Sequence, residues 1–166
     1  VNGSITGAKD STLYFENMSL NGPVVIDSVK LDKEGTFLFK ENANKAPEFY
    51  RLRIAGQIIN VSIDSTETIT VKATYPSMAY QYEISGSENC SKIRELAFLQ
   101  MQLQGAINAI AQNPNLKTDA VNDSINKVVE AYKKNVKLNY IYKEPMKAYA
   151  YFALFQVVGL GNTVSL

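Results

Sequence analysis

The spacing of the apolar residues changes once along the 166-residue chain, near Gly86. Up to about residue 85, β-branched and aromatic residues alternate with polar ones, which is the two-residue period of a strand with one buried face. After Gly86 the apolar residues recur every three or four positions, as they do on one face of a helix. The change predicts strands followed by helices and divides the chain into residues 1–86 and 87–166.

The first part consists of short strand-like runs separated by turn residues. These runs are residues 12–15, 24–26, 36–39, 50–54, 58–63, 69–73 and 80–84. Gly35 ends one turn and suits the left-handed position of a type I turn with a bulge. About eight strands at short spacing, with no helical pattern between them, predict an antiparallel β-sandwich. The expected fold class is therefore α+β, a sandwich followed by about three helices.

The second part predicts helices that pack on the strands. Ser87 or Ser91 is expected to cap the first helix, which ends near residues 113–114. The second helix is expected over about residues 118–142. Pro145 suits the first turn of a third helix.

Residues 148–166 form an unusual third helix because they include no charged residue and place aromatic and aliphatic side chains all around the axis. A helix that is apolar all round is buried, so we expect burial in this domain or against a neighbouring one. A membrane span is the alternative, since the length just permits it. Gln156, Asn162 and two glycines argue against a span. The pattern continues to Leu166, which suggests that the native protein extends further.

The composition leaves few routes to catalysis. The chain has no His and one Cys, so it has no imidazole base and no dithiol of its own. We therefore predict no catalytic, cofactor-binding or metal-binding residue. With 17 basic and 16 acidic residues the net charge is +1, which argues against a nucleic-acid partner.

Two features have a functional and a structural interpretation. Cys90 lies near a predicted helix N-terminus, where a thiol pKa can fall, but a small structural Cys is the other interpretation, and we expect Cys90→Ser to leave folding unchanged. Residues 47–53 mix aromatic, acidic and basic groups that suit a recognition face, or they form an ordinary half-buried strand. The ten tyrosines likewise suit a sugar platform or core packing.

Other polar groups show no site-like spacing. The acidic residues Asp10, Asp27, Asp32 and Asp64 are scattered among turns and strands, without the spacing of a calcium loop. The glycines at 159 and 161 form too short a motif to indicate a phosphate-binding loop. The lysines Lys133, Lys134 and Lys137 are predicted to form a solvated helix face.

The first part also resembles a known domain. Residues 3–8 with Leu13-Tyr14-Phe15, then 25–29 with Gly35-Thr36-Phe37, follow that family's order of motifs, as do 49–52 and 85–88. The family is the N-terminal domain of unassigned function of Bacteroidetes thiol-disulfide oxidoreductases, and the similarity covers about residues 3–88. Residues after 88 resemble its link to a C-terminal thioredoxin-like domain.

The resemblance implies an exported protein, periplasmic or anchored through a lipidated Cys upstream. It implies a non-catalytic accessory domain whose partners are the thioredoxin-like domain of the same protein, a second copy of the chain, or protein substrates. The Cys-x-x-Cys of such proteins lies on the thioredoxin-like domain, so no catalytic residue carries over to this chain. The alternative is a free-standing surface-lipoprotein module that binds a glycan or peptide through exposed tyrosines. A third possibility, an enzyme in its own right, is weakened by the sparse acid-base groups.

Overall fold

The structure is a computed structural model that describes residues 1–42, 46–64 and 66–161. The chain divides into two compact units, Val1–Arg94 and Glu95–Leu166. The first unit contains the strands and the start of the first helix, and the second contains the remaining helical residues.

Eight strands form two four-stranded sheets in the first unit. They are β1 Asn2–Thr6, β2 Thr12–Ser19, β3 Gly22–Lys30, β4 Thr36–Leu38, β5 Glu48–Ile54, β6 Gln57–Ile63, β7 Thr70–Thr74 and β8 Tyr82–Ser85. One sheet has the order β4-β1-β7-β8 and the other has the order β3-β2-β5-β6. The predicted α+β class with a two-sheet sandwich and C-terminal helices is confirmed.

One strand pair differs from the expected antiparallel arrangement. β1 pairs antiparallel with β4 but parallel with β7, in a register that places Ser4 opposite Lys72. A parallel pair needs a long connection, and here that connection includes five intervening strands. The alternation in sequence does not report strand direction, and β1 was not among the predicted runs. Tyr80, predicted inside the last run, lies in a turn before β8.

Alternating side chains from both sheets fill the core of this unit. Leu13, Phe15, Leu52, Ile59 and Val71 are all at most 1% exposed. The ring of Phe15 stacks against those of Phe39 and Tyr50, with centroids 5.2 and 5.1 Å away. Offset aromatic stacking of this kind adds to the stabilisation from apolar burial, so the aromatic cluster ties β2 and β5 to the residue that follows β4.

The turn before β4 depends on Gly35. Its φ is +67°, which confirms the predicted left-handed position. The carboxylate of Asp32 accepts a hydrogen bond from the Gly35 N–H at 2.8 Å, and the carbonyl of Gly35 accepts one from the Ile5 N–H at 2.9 Å. A Cβ at this position would lie 2.0 Å from the Ile5 carbonyl oxygen, so the turn has no room for a side chain.

Three α-helices follow the strands. They are α1 Glu88–Ala111, α2 Thr118–Val136 and α3 Ala148–Gly159, with a π-helical turn at Lys137–Ile141 after α2. Ser87 caps α1, since its hydroxyl accepts a hydrogen bond from the Cys90 N–H at 3.4 Å. The predicted third helix extended to residue 166, but α3 ends at Gly159 and residues 162–166 lie outside the described part of the chain.

Pro145 lies before α3 and not in its first turn, which corrects the prediction. The Lys147 N–H donates to the Glu144 carbonyl at 3.1 Å, so residues 144–147 form a turn with Pro145 at its second position. Proline favours that position because its ring fixes φ near the required value.

The helical unit has its own apolar core. It is formed by Leu96 and Leu103 of α1, Val129, Tyr132 and Val136 of α2, and Ala153 and Val157 of α3. Lys133 corrects the prediction of a fully solvated lysine face, because its side chain is only 7% exposed. Its ammonium donates to the Gly161 carbonyl at 2.6 Å and to the Glu130 carboxylate at 3.1 Å. The paired charge explains why it tolerates burial.

Within the described residues, no helix has both the length and the apolar character required to cross a membrane.

Candidate functional site

Four exposed apolar side chains of the helical unit lie together on α3. Tyr151, Leu154, Phe155 and Val158 are 49%, 46%, 70% and 65% exposed. Their spacing of three and four residues places them on one side of the helix, and we call them the α3 stripe. The opposite side is buried and carries Tyr149, Ala150, Ala153 and Val157. Of the two expected alternatives, burial within this chain does not hold for the side that carries the stripe, and burial against a neighbouring domain stays a prediction.

The composition of the α3 stripe suits a protein contact. Residues 148–161 include no charged side chain, and large exposed apolar patches on a folded protein mark binding surfaces more often than isolated apolar residues do. Phe and Tyr are also common in the centres of protein interfaces. The stripe thus offers apolar and aromatic contact area without a charge that would need a partner.

A second group of side chains lies on the outward face of the sheet β3-β2-β5-β6. Glu16 of β2 lies directly opposite Arg51 of β5. Its carboxylate accepts hydrogen bonds from the Arg51 Nε and from the Arg53 Nε and Nη2, the latter two at 2.9 and 2.7 Å. We call Glu16, Arg51 and Arg53 the arginine cluster. The Glu16 side chain is only 4% exposed, whereas those of Arg51 and Arg53 are 18% and 26% exposed.

The electrostatics of the arginine cluster keep Glu16 ionised. The hydrogen bond from Arg53 lowers the pKa of the Glu16 carboxyl from its ordinary value of 4.5, although desolvation opposes this effect. Two guanidinium groups against one carboxylate leave one positive charge in excess. The guanidinium carbon of Arg53 also lies 4.6 Å from the centre of the Tyr14 ring, which is a cation–π distance.

Residues 47–53 fit the interpretation of a half-buried strand, and the recognition face stays a prediction. Tyr50, Leu52 and Ile54 point into the core, as the alternation predicts, and the arginines occupy the outer row. Glu16 was missed because its partners lie more than 30 residues away in sequence. The sequence feature that could have indicated Glu16 is its position as an acidic residue directly after the strand-like run 12–15.

Cys90 is completely buried and lies beside the edge of β6. Its thiol donates to the Ser62 carbonyl at 3.2 Å and accepts from the Ser62 N–H at 3.4 Å. Burial raises the pKa of Cys90 to about 11. The pKa therefore moves in the direction opposite to that of a reactive thiol, which favours the structural interpretation.

The other candidate groups serve local structure or packing. Asp27 and Asp32 accept hydrogen bonds from backbone N–H groups of nearby residues, and Asp10 lies 3.9 Å from Lys30 in an exposed ion pair. Across residues 1–42, 46–64 and 66–161, no group of three Cys, Asp or Glu side chains is placed to hold a metal ion. The glycines at 159 and 161 lie at the C-terminal end of α3.

The tyrosines divide between core and surface. Tyr50, Tyr82, Tyr132 and Tyr149 are buried, as the packing interpretation predicts, whereas Tyr80, Tyr142 and Tyr151 are at least 44% exposed.

A shallow polar recess lies on the outward face of the other sheet. It has a volume of about 450 Å³ and is lined mainly by hydroxyl, amide and charged groups. The lining includes Thr6, Lys72, Thr74, Gln81 and Glu83. The Thr6 and Thr74 hydroxyls hydrogen-bond across β1 and β7 at 3.1 Å, so adjacent strands present a row of polar atoms.

These features define the protein as an α+β protein built on a two-sheet β-sandwich with a helical C-terminal unit. The chain belongs to the family described as a domain of unknown function, DUF4369, whose model matches residues 1–93. The match includes all eight strands and the first residues of α1. No curated protein gives a significant match to the chain.

Proposed function

We propose that this chain is the non-catalytic N-terminal accessory domain of an exported thiol-disulfide oxidoreductase, and that the α3 stripe binds the thioredoxin-like domain of the same protein. The sandwich serves as a rigid support that holds the redox domain away from the membrane. A second copy of the chain and protein substrates are further partners in this proposal, and the parent protein is periplasmic or anchored through a lipidated Cys upstream.

The exposure of the α3 stripe carries the proposal. Burying Phe155 and Val158 against a partner would stabilise the complex by about 25 cal/mol for each Å² of apolar area removed from water. The buried side of α3 already holds the helix to α1 and α2 through Ala153 and Val157. A partner can therefore bind the stripe without changing the core of the helical unit.

The thiol chemistry of the chain supports a non-catalytic role. Cys90 is buried and its pKa is raised to about 11, whereas disulfide exchange needs an accessible thiolate. The redox step belongs in this proposal to the Cys-x-x-Cys of the thioredoxin-like domain, which the family resemblance implies.

The first test is the gene itself. The proposal expects a Cys-x-x-Cys in a thioredoxin-like sequence after the codon for Leu166, and a lipidated or cleaved leader before Val1. A native gene that continues into an unrelated sequence contradicts the link to thiol-disulfide exchange. The purified chain should neither reduce insulin nor consume peroxide, and turnover in either assay contradicts the non-catalytic role.

The second test measures docking between the chain and its separately expressed downstream domain by calorimetry. Phe155→Asp places a charge in the centre of the α3 stripe and should weaken binding at least tenfold, which corresponds to about 1.4 kcal/mol. Met146→Asp is the matched control, because Met146 is 83% exposed and lies outside the stripe. Equal affinities for the two variants would show that the stripe is not the docking surface.

The polar recess supports a second candidate function, a module that binds a glycan or peptide. The row of Thr, Gln and Glu groups in the recess offers hydrogen bonds of the kind that sugar hydroxyls form. Tyr80 is the exposed tyrosine that precedes β8. Glycan-array binding that Tyr80→Ala or Lys72→Ala removes, and that Phe155→Asp leaves intact, would favour this function over the accessory domain.

A further inference from the structure

The arginine cluster leaves four of the five N–H donors of one guanidinium group without a partner in the described chain. Arg51 uses its Nε to donate to Glu16. Its four other N–H donors, on Nη1 and Nη2, form no hydrogen bond with any residue that the structure describes. The fully buried side-chain N and O atoms without a partner in the described chain do not include these donors, so solvent reaches them and they can bind an acceptor.

A second unused polar group lies beside it. Asn60 of β6 is directly opposite Arg51 in the β5–β6 register, so the two side chains lie on the same face with Cβ atoms about 5 Å apart. The Asn60 side chain is half-buried and likewise has no hydrogen-bond partner within the described residues. Its amide adds a neutral donor next to the charged guanidinium of Arg51.

From this arrangement we propose that Arg51 and Asn60 form a binding site for a carboxylate group on the outward face of the β3-β2-β5-β6 sheet. The end of the Arg51 guanidinium binds both carboxylate oxygens, which is the bidentate geometry that suits a planar fork. The Asn60 amide donates to one of the same oxygens. Glu16 acts as a positioning residue, because its bond to the Nε holds the guanidinium in place.

The charge of the arginine cluster selects a monoanion. One positive charge is in excess, so a single carboxylate neutralises the site. A phosphate dianion would bring a second negative charge close to the Glu16 carboxylate, and the two like charges would repel each other. The shape argument agrees, since a tetrahedral phosphate gains less from one planar fork than from a cluster of cations.

The carboxylate can come from a small organic acid or from an acidic side chain of a peptide. Phe49 precedes Arg51 by two residues on the same face and is half-buried, so it offers an apolar wall beside the site. A free acid such as acetate uses only the polar groups, whereas a peptide also contacts this wall. Neither source involves the α3 stripe, so the site is independent of the proposed function.

The experiment is an NMR titration of the whole chain that follows the arginine Nε–H signals. Acetate should shift the Arg51 signal, and the shift should saturate at about 10 mM acetate, as one charge-assisted bidentate pair at a half-buried site permits. Sodium chloride and sodium phosphate at the same ionic strength are the comparison ions. A capped pentapeptide with a central Asp between glycines tests the peptide source.

Variants separate the fork from its charge. Arg51→Lys keeps the charge but loses the planar guanidinium, and it should weaken acetate binding at least tenfold, which the Arg53 Nε–H signal of the same cluster reports in this variant. Lys30→Gln removes a cation from the same sheet at an exposed position and should leave the affinity unchanged within twofold. Asn60→Ala should weaken binding by about threefold, the effect of one neutral hydrogen bond at the lower end of its range.

The outcomes decide both the site and its ligand. Saturable binding of acetate supports the proposal, and a peptide that binds more than tenfold tighter identifies an acidic side chain as the source. Chloride and phosphate shifts equal to those of acetate would overturn it, as would unchanged affinity in Arg51→Lys. An Arg51 signal that acetate leaves unmoved at 100 mM also overturns it, and this result needs no variant to fold.

Discussion

The burial of Glu16 between two arginines predicts a large and pH-dependent effect of a small substitution. Glu16→Gln keeps the size of the side chain and removes only its charge. The amide has one carbonyl oxygen to accept hydrogen bonds, whereas the carboxylate accepts three from Arg51 and Arg53. The new NH2 group then faces guanidinium donors, so at least one donor loses its partner.

The magnitude follows from how far each charge is buried. Removing one partner of a fully buried ion pair costs about 3–5 kcal/mol because the other charge is left uncompensated. The side chains of Arg51 and Arg53 are 18% and 26% exposed, so water solvates part of their charge and reduces the loss. We expect Glu16→Gln to lower the free energy of unfolding at pH 7 by about 2 kcal/mol.

The assay is urea unfolding of the wild type and the variant at several pH values. The pKa of Glu16 is lower in the folded chain than its ordinary value of 4.5. Its stabilisation is therefore complete above that value and is lost as the pH falls through the lowered pKa. The difference between wild type and Glu16→Gln should be constant from pH 8 to about pH 5 and should shrink below pH 4.

Glu83→Gln is the control, because it removes the same charge from an exposed strand position in the same unit. It should change the free energy of unfolding by less than about 0.5 kcal/mol at any of these pH values. A loss for Glu16→Gln that is just as large at pH 3 as at pH 7 would refute the electrostatic explanation. So would a loss no larger than that of the control.

Three further predictions concern the first unit. Gly35→Ala should lower the free energy of unfolding by about 3 kcal/mol or more in urea, because its φ is +67° and the new Cβ would meet the Ile5 carbonyl at 2.0 Å; a loss below 1 kcal/mol contradicts this geometry. Ser62→Ala should raise the free energy of unfolding by about 1 kcal/mol in the same assay, since the buried Ser62 hydroxyl has no hydrogen-bond partner in the described chain. A lower free energy of unfolding would show that the hydroxyl is paired. Cys90 should react with a thiol reagent at pH 8 only after urea unfolds the chain, because its pKa of about 11 and its burial remove the thiolate; rapid labelling of the folded chain would contradict this.

The sequence predicted features that depend on neighbouring residues. Alternation placed Tyr50, Leu52 and Ile54 in the core, and the left-handed turn at Gly35 was predicted from its turn residues. The helix cap at Ser87 follows from the same local chemistry. In each case the determining groups lie within a few residues, where propensity and periodicity act.

Features that depend on distant residues could not be predicted. The ion pairs of Glu16 require the β2–β5 register, and the unused donors of Arg51 require knowledge of every neighbour on that face. The burial of Lys133 depends on Gly161, 28 residues further along the chain. Composition lists which residue types the chain contains but could not reveal which polar atoms lack partners.

The parallel pairing of β1 with β7 governs the order in which the first sheet is assembled. β1 lies in its middle, between β4 and β7, and Thr6 meets Thr74 across 68 positions of sequence. A ribosome must therefore release more than seventy residues before the first strand gains its second neighbour, and contacts of such separation slow folding. Removal of β1 by a protease therefore splits the sheet between β4 and β7 and leaves β4 without its pairing strand.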